Sequence, residues 1–192
     1  MIADAFQHSC LQPLDPECFE SHQLARENAT IQLQDQWNAF CRDLVLNSWR
    51  GGVMTLSGAA LPQRVGPISD AAALAALRAT FTGKDKKSKY WEPKWFDPNQ
   101  TLDAAKRLAL PNLSSISAGV GLTPSPLDEL RAVRNYFAHR GRLSADTLAT
   151  YILAHPSDAD AHGFVSKLTL AGVPKLVRWT AEIDTMAWAA VQ

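Results

Sequence analysis

A long helical period near the start of the chain constrains the fold most. Leu33, Trp37, Phe40, Cys41, Leu44 and Val45 recur at three- and four-residue steps. That spacing lines up side chains along one stripe of an α-helix, whereas a strand alternates its faces at every residue. The pattern predicts a helix from about Phe19 to Trp49, stopped by Gly51-Gly52. A stripe of this kind has to be buried against other elements, and the rest of the chain supplies them as further helices.

After a connection carrying Pro62, Gly66 and Pro67, Ser69 reads as the N-cap of an Ala-rich helix, Asp70–Thr82. Leu74, Leu77 and Phe81 share one of its faces, and Gly83 ends it. Residues 84–99, interrupted by Pro93 and Pro98, read as a loop. Thr101–Leu110 is predicted as a short helix, with another turn or two over 112–120. Pro126–Arg140 is the clearest helix. It has a capping-box-like Ser125-Pro126-Leu127-Asp128 start, Pro at the first helical position and Gly141 as its stop. Ser144 is read as the cap of a helix to about His155. Phe164–Leu170 is compatible with a short strand, and Pro174–Ala190 is a last helix with Leu176, Trp179, Ile183 and Met186 or Ala187 inward. The expected class is therefore all-α: an up-and-down bundle of about five helices, with at most one short strand.

The 192 residues suit one domain, taken as 1–192 with a basic and aromatic loop insertion at about 84–99. Formal net charge is zero, so no global field draws in nucleic acid, and any anionic partner must be held by a local patch. Three cysteines (Cys10, Cys18 and Cys41) give no disulfide framework and fit a reducing cytoplasm. The first residues have neither the basic start nor the apolar run of a signal peptide, and no stretch nears the roughly 18 apolar residues of a membrane span. His8, Cys10, Cys18 and His22 do not follow a zinc spacing, so neither metal nor cofactor is expected.

The chemistry gathers in Leu130-Arg131-Ala132-Val133-Arg134-Asn135-Tyr136-Phe137-Ala138-His139-Arg140-Gly141. Leu130, Val133 and Phe137 make a narrow apolar face. Arg131, Asn135 and His139 form an i, i+4, i+8 row on the other side, with Arg134 read as lying beside it. Helix stability asks for none of these polar groups. A guanidinium matches phosphate oxygens with a planar fork of donors, and an imidazole can carry a proton. No acidic cluster sits nearby in sequence to hold magnesium. A set of this kind suits attack of an RNA 2′-hydroxyl on the adjacent phosphate, where the substrate brings its own nucleophile.

The stretch Arg134-Asn135-x-x-x-His139 resembles the Arg–polar–x–His motif of HEPN domains, with a gap of four residues and Asn after the Arg. Arg-Gly follows the His, as in bacterial members. The resemblance implies a compact helical bundle and a metal-independent endoribonuclease, often a toxin or antiviral defence factor. It also implies that two copies pair to line one cleft, with an antitoxin or regulatory protein as a further partner. His139 would then transfer protons, Arg134 would hold the phosphate, and Asn135 would orient the site. Arg131 and Arg140 fall outside the motif and are assigned RNA-backbone contact. HEPN toxins paired with nucleotidyltransferase antitoxins often carry a Tyr two residues after the His; here that position is Gly141, which argues against that particular pairing. The alternative from the same resemblance is a non-catalytic module that binds RNA, a nucleotide or a protein.

A second basic segment runs from Lys84 to Phe96 with aromatics between its lysines. Lys86, Lys87 and Lys89 are candidates for phosphate contact, and Tyr90, Trp91 or Trp95 for base stacking. The other reading is a solvated loop anchored by its aromatics. His155 and His162 have no partner visible in sequence.

Overall fold

The structure is a computed structural model that describes residues 16–63, 69–122, 126–152, 160–167, 169 and 171–192, with side chains from residue 21 onward. Among the described residues the fold is all-α and contains eight α-helices. They are α1 (Pro16–Arg50), α2 (Asp70–Ala79), α3 (Pro98–Arg107), α4 (Leu113–Val120), α5 (Leu127–His139), α6 (Arg142–Ile152), α7 (Ala161–Ser166) and α8 (Lys175–Ala190). A 3₁₀ turn covers Gly83–Asp85. No helix here is long and apolar enough to cross a membrane.

Contacts divide the chain into two compact units. One comprises Met1–Gln36 with Ser125–Ile183, the other Trp37–Pro124 with Asp184–Gln192. In the first unit Leu130, Val133, Phe137, Leu148, Val165, Leu176 and Trp179 are buried. Each large side chain of this kind contributes about 1.5–3 kcal/mol by leaving water. In the second unit Trp37, Cys41, Val45, Leu46, Leu77, Trp95, Ile116 and Val120 form the core. There α4 meets the last turns of α8 backbone to backbone: a Cβ on Gly119 would lie 2.4 Å from the Met186 carbonyl oxygen and from the Ala190 nitrogen.

The helix-stripe reading of α1 agrees with burial: Leu33, Trp37, Cys41 and Val45 are in the cores. Gly51, at φ 69°, ends the helix as expected. Five local readings need correction. Over the described residues of Phe164–Leu170 no strand is formed. Ala161–Ser166 is the helix α7, because Asp160 caps it by accepting from the Gly163 N–H at 2.8 Å and Ala161, Phe164 and Val165 are buried together. Met54 and Ala60 form an isolated antiparallel bridge, and Pro174 is a second bridge residue, flanked by the Lys175 N–H donating to the Lys167 carbonyl at 3.1 Å.

The stop of α5 is not Gly141. Arg140 itself takes the left-handed conformation, at φ 45°. Nor does Ser144 cap α6 from in front: it lies in the first turn. Its hydroxyl donates to the Gly141 carbonyl (2.7 Å) and accepts from the Gly141 N–H (3.1 Å). This is the reaching-back half of a capping box, with Gly141 as the residue being capped. Finally, Pro126 is the N-cap of α5 rather than its first helical residue, and α3 begins at Pro98, capped by Asp97, three residues before the predicted start. Ser125, His155 and Pro156 lie outside the described residues.

Candidate functional site

The first unit builds its polar site around the tight corner between α5 and α6. Leu127, Leu130, Val133 and Phe137 bury one face of α5. At the helix start, Glu129 accepts from both Lys175 Nζ (2.9 Å) and Trp179 Nε1 (3.2 Å), which ties α5 to α8. At the other end Glu27 of α1 takes Arg140 at 2.5 Å and His162 Nε2 at 3.2 Å on the same carboxylate oxygen. The left-handed Arg140, which for a non-glycine residue costs roughly 1–2 kcal/mol, is thus held by a carboxylate from another helix.

Beside that corner lies an open pocket of about 510 Å³, lined by Asn135, His139, Gly141, Arg142, Leu143, Ser144 and Thr147. His139 is exposed and Asn135 half-exposed, and neither has a hydrogen-bond or ion-pair partner among the described residues. Arg142 is 94% exposed and only 4.0 Å from Asp146. No carboxylate lines the pocket. The wall therefore offers an imidazole, an amide and an exposed, weakly paired guanidinium, a set that can bind an anion and exchange a proton with it.

Arg134 does not join them. Along the helix its position falls within the buried arc, between Leu127 and Leu130 in angle, rather than beside the Asn135–His139 row. Its side chain is 28% exposed, one guanidinium nitrogen lies 3.9 Å from Asp35, and Nε is buried without a hydrogen-bond partner. Arg131 is paired with Asp128 at 3.0 Å on the open side. Of the residues read from sequence, the pocket thus brings together Asn135 and His139, and it adds Arg142, which lies three residues beyond His139 and was passed over.

His162 and Glu27 were also missed, for a different reason. The two are far apart in the chain, and only the fold places the imidazole on the carboxylate. His162 also packs its ring 5.0 Å from that of Phe137. Burial lowers the His162 pKa from its ordinary value; Glu27 and Asp160 oppose this, while Arg26 and Arg140 add to it.

The basic loop belongs to the second unit. Lys86 and Lys89 are exposed, and Tyr90 is 82% exposed. Trp91 is half-buried, edge-on to Phe81 with centroids 5.0 Å apart, and Lys87 lies over both rings at 5.1 and 5.3 Å. Trp95 is core. Cys41 is core as well, and burial pushes its thiol up to about 12, against a smaller opposing effect of a hydrogen bond with Thr101. His8, Cys10 and the Cys18 side chain lie outside the described residues. Among those described, no group of three or more His, Cys, Asp or Glu side chains gathers as a metal site.

No protein-family model, curated protein or solved structure matches the chain.

Proposed function

We propose that the chain is a HEPN-type endoribonuclease that acts without a metal ion, as a pair of copies in the cytoplasm. Its expected setting is a toxin or antiviral defence system, with an antitoxin or regulatory protein as partner. One observation carries this reading: His139 and Asn135, neither engaged elsewhere, share an open pocket with the exposed Arg142.

In the proposed reaction the His139 imidazole takes the proton from an RNA 2′-hydroxyl. The 2′-oxygen then attacks the neighbouring phosphorus, and the bond from phosphorus to the 5′-oxygen breaks. That leaving oxygen receives a proton from the His139 of the second copy. The products are a 2′,3′-cyclic phosphate and a 5′-hydroxyl. Arg142 counters the charge that builds on the phosphoryl oxygens, and Asn135 orients the substrate by hydrogen bonding. Arg134 joins once a phosphate draws it from Asp35; a contact of 3.9 Å to one carboxylate oxygen is weak beside a two-pronged phosphate contact.

The second reading is a non-catalytic module that binds RNA, a nucleotide or a protein. The position of Arg134 favours it, since that side chain is partly buried and off the pocket wall. The test is RNA cleavage by purified protein in the presence of EDTA. Wild type should cut and leave cyclic phosphate ends, and His139→Ala should slow cutting by about 10²–10⁴-fold with the fold unchanged. Arg142→Ala should also be slowed. Wild type that binds RNA but leaves it intact transfers the case to the second reading.

A further inference from the structure

The loop that follows α2 is anchored at its base and free at its tip. Trp95 is buried, donates its indole N–H to Glu92 at 2.7 Å, and its carbonyl accepts from the Thr101 hydroxyl at 2.9 Å. Glu92 also takes Arg42 at 2.7 Å, so this carboxylate is already neutralised. Arg78 donates to the Trp91 carbonyl at 3.0 Å. Phe81 and Trp91 meet edge to face, with Lys87 above both and the Arg107 guanidinium 4.0 Å from the Phe81 centroid. Two cations and two aromatic rings thus form a fixed support.

On that support sits a turn, closed by the Trp91 N–H donating to the Ser88 carbonyl at 3.1 Å, with Lys89 and Tyr90 at its corner. Tyr90 is 82% exposed, the most exposed aromatic ring among the large apolar side chains described. Lys89 Nζ lies 4.8 Å from its ring. Lys84, Lys86 and Lys94 are exposed in the same loop, as is Lys106 on α3. Of the nearby acids, Glu92 is bound to Arg42, Asp103 to Arg107 and Asp97 caps α3, while Asp85 is exposed and outnumbered by Lys84, Lys86, Lys87, Lys89 and Lys94. The surface around Tyr90 is therefore cationic although the whole chain is neutral.

From this arrangement we infer that the Ser88–Trp91 turn is a binding platform for single-stranded RNA. Tyr90 stacks on one base, while Lys84, Lys86 and Lys89 follow the backbone. Trp91 and Lys87 hold the platform in place and do not themselves contact the strand. An aromatic ring offers its face to any base, so the platform tolerates sequence. A duplex keeps its bases stacked on one another and has none to offer. The platform does not depend on cleavage and stands whether or not the pocket at His139 is catalytic.

The experiment measures anisotropy of a fluorescein-labelled oligouridine with the full-length His139→Ala chain, so that the probe stays intact. Saturable binding is expected, and Tyr90→Ala should weaken it by about tenfold, as for the loss of one base-stacking contact. Tyr90→Phe should bind like the parent. Serine at Lys84, Lys86 and Lys89 together should flatten the salt dependence of binding, since fewer counterions are released. Tyr90 is exposed at a turn corner, so its removal leaves the support standing; circular dichroism and the melting temperature check this. No saturable binding overturns the inference. So does equal binding by Tyr90→Ala, or equal binding of a duplex, either of which leaves only unspecific attraction between charges.

Discussion

In the second unit the half-buried cations are answered: Arg42 binds Asp70 at 2.8 Å and Glu92 at 2.7 Å, and Arg50 binds Asp70 at 3.0 Å. The first unit treats its polar side chains otherwise. Arg26 Nε, Gln34 Oε1, Arg134 Nε, His162 Nδ1 and Ser166 Oγ are all buried there without a hydrogen-bond partner. Among the described residues the second unit leaves two such atoms, the indole nitrogen of Trp37 and Oδ1 of Asn112, both neutral groups. An unmet buried polar atom costs stability, about 1–3 kcal/mol where the desolvation is complete. The unit that tolerates them is also the one with the open His139 pocket. The contrast teaches where to look for function: buried polar atoms that the protein's own groups do not meet are the places where water or a ligand can take part.

The contrast can be broken at several points. The largest expected effect is Gly119→Val. The new side chain has no room against the α8 backbone, and a loss of about 3 kcal/mol or more is expected. Hydrogen exchange should show protection lost in α4 and the end of α8 while α5 and α6 retain theirs. Equal loss in all four would show that the two units open together as one cooperative unit.

Arg42→Met and Arg134→Met should then act in opposite directions. The first leaves Asp70 with Arg50 and Glu92 with the Trp95 indole N–H, and should cost about 1 kcal/mol, discounted because all three side chains are about one-third exposed. The second removes an unmet buried nitrogen and should raise stability by up to about 1 kcal/mol. Urea denaturation reads both, and shifts of the same sign would remove the distinction between the units.

The smallest effect is on pH dependence. His162 is held below its ordinary 6.5 in the native state, so the unfolded chain takes up this proton more readily. Its contribution to stability is complete above that value and is lost as pH falls through the lower native value. Between about pH 7.5 and about pH 5.5, the urea midpoint of wild type should fall further than that of His162→Asn. Parallel falls would mean that groups other than His162 set the acid response.

Much of this molecule is periodic, and periodicity is local. The stripe on α1, the apolar face of α5 and the inward set Leu176, Trp179, Ile183 and Met186 on α8 follow from residues a few positions apart. So does the Asn135–His139 row, because residues four apart on a helix share a face. Where the sequence misled, non-local or cap-level physics intervened. Arg134 was placed on the open face although its helical angle points toward the packed side. Phe164–Leu170 is compatible with a short strand from its residues alone, but Asp160 caps a helix that takes in Phe164 and Val165.

What the sequence by itself determined is the helical class, the stripes that are buried, and the imidazole and amide that remain free on α5. Those properties depend on the 3.6-residue repeat and on which side chains water rejects, and both are written in the order of residues. Only the tertiary structure decided that Glu27 grips Arg140 and His162, that Arg142 shares the His139 pocket, and that Tyr90 rather than Trp91 or Trp95 stands in solvent. The grip on Glu27 joins residues distant in the chain, and no pattern along the sequence records which of them folding brings within hydrogen-bond reach. Arg142 and Tyr90 are near neighbours of the residues they differ from, but a turn between helices and the burial of Trp91 and Trp95 decide their setting, and both come from packing.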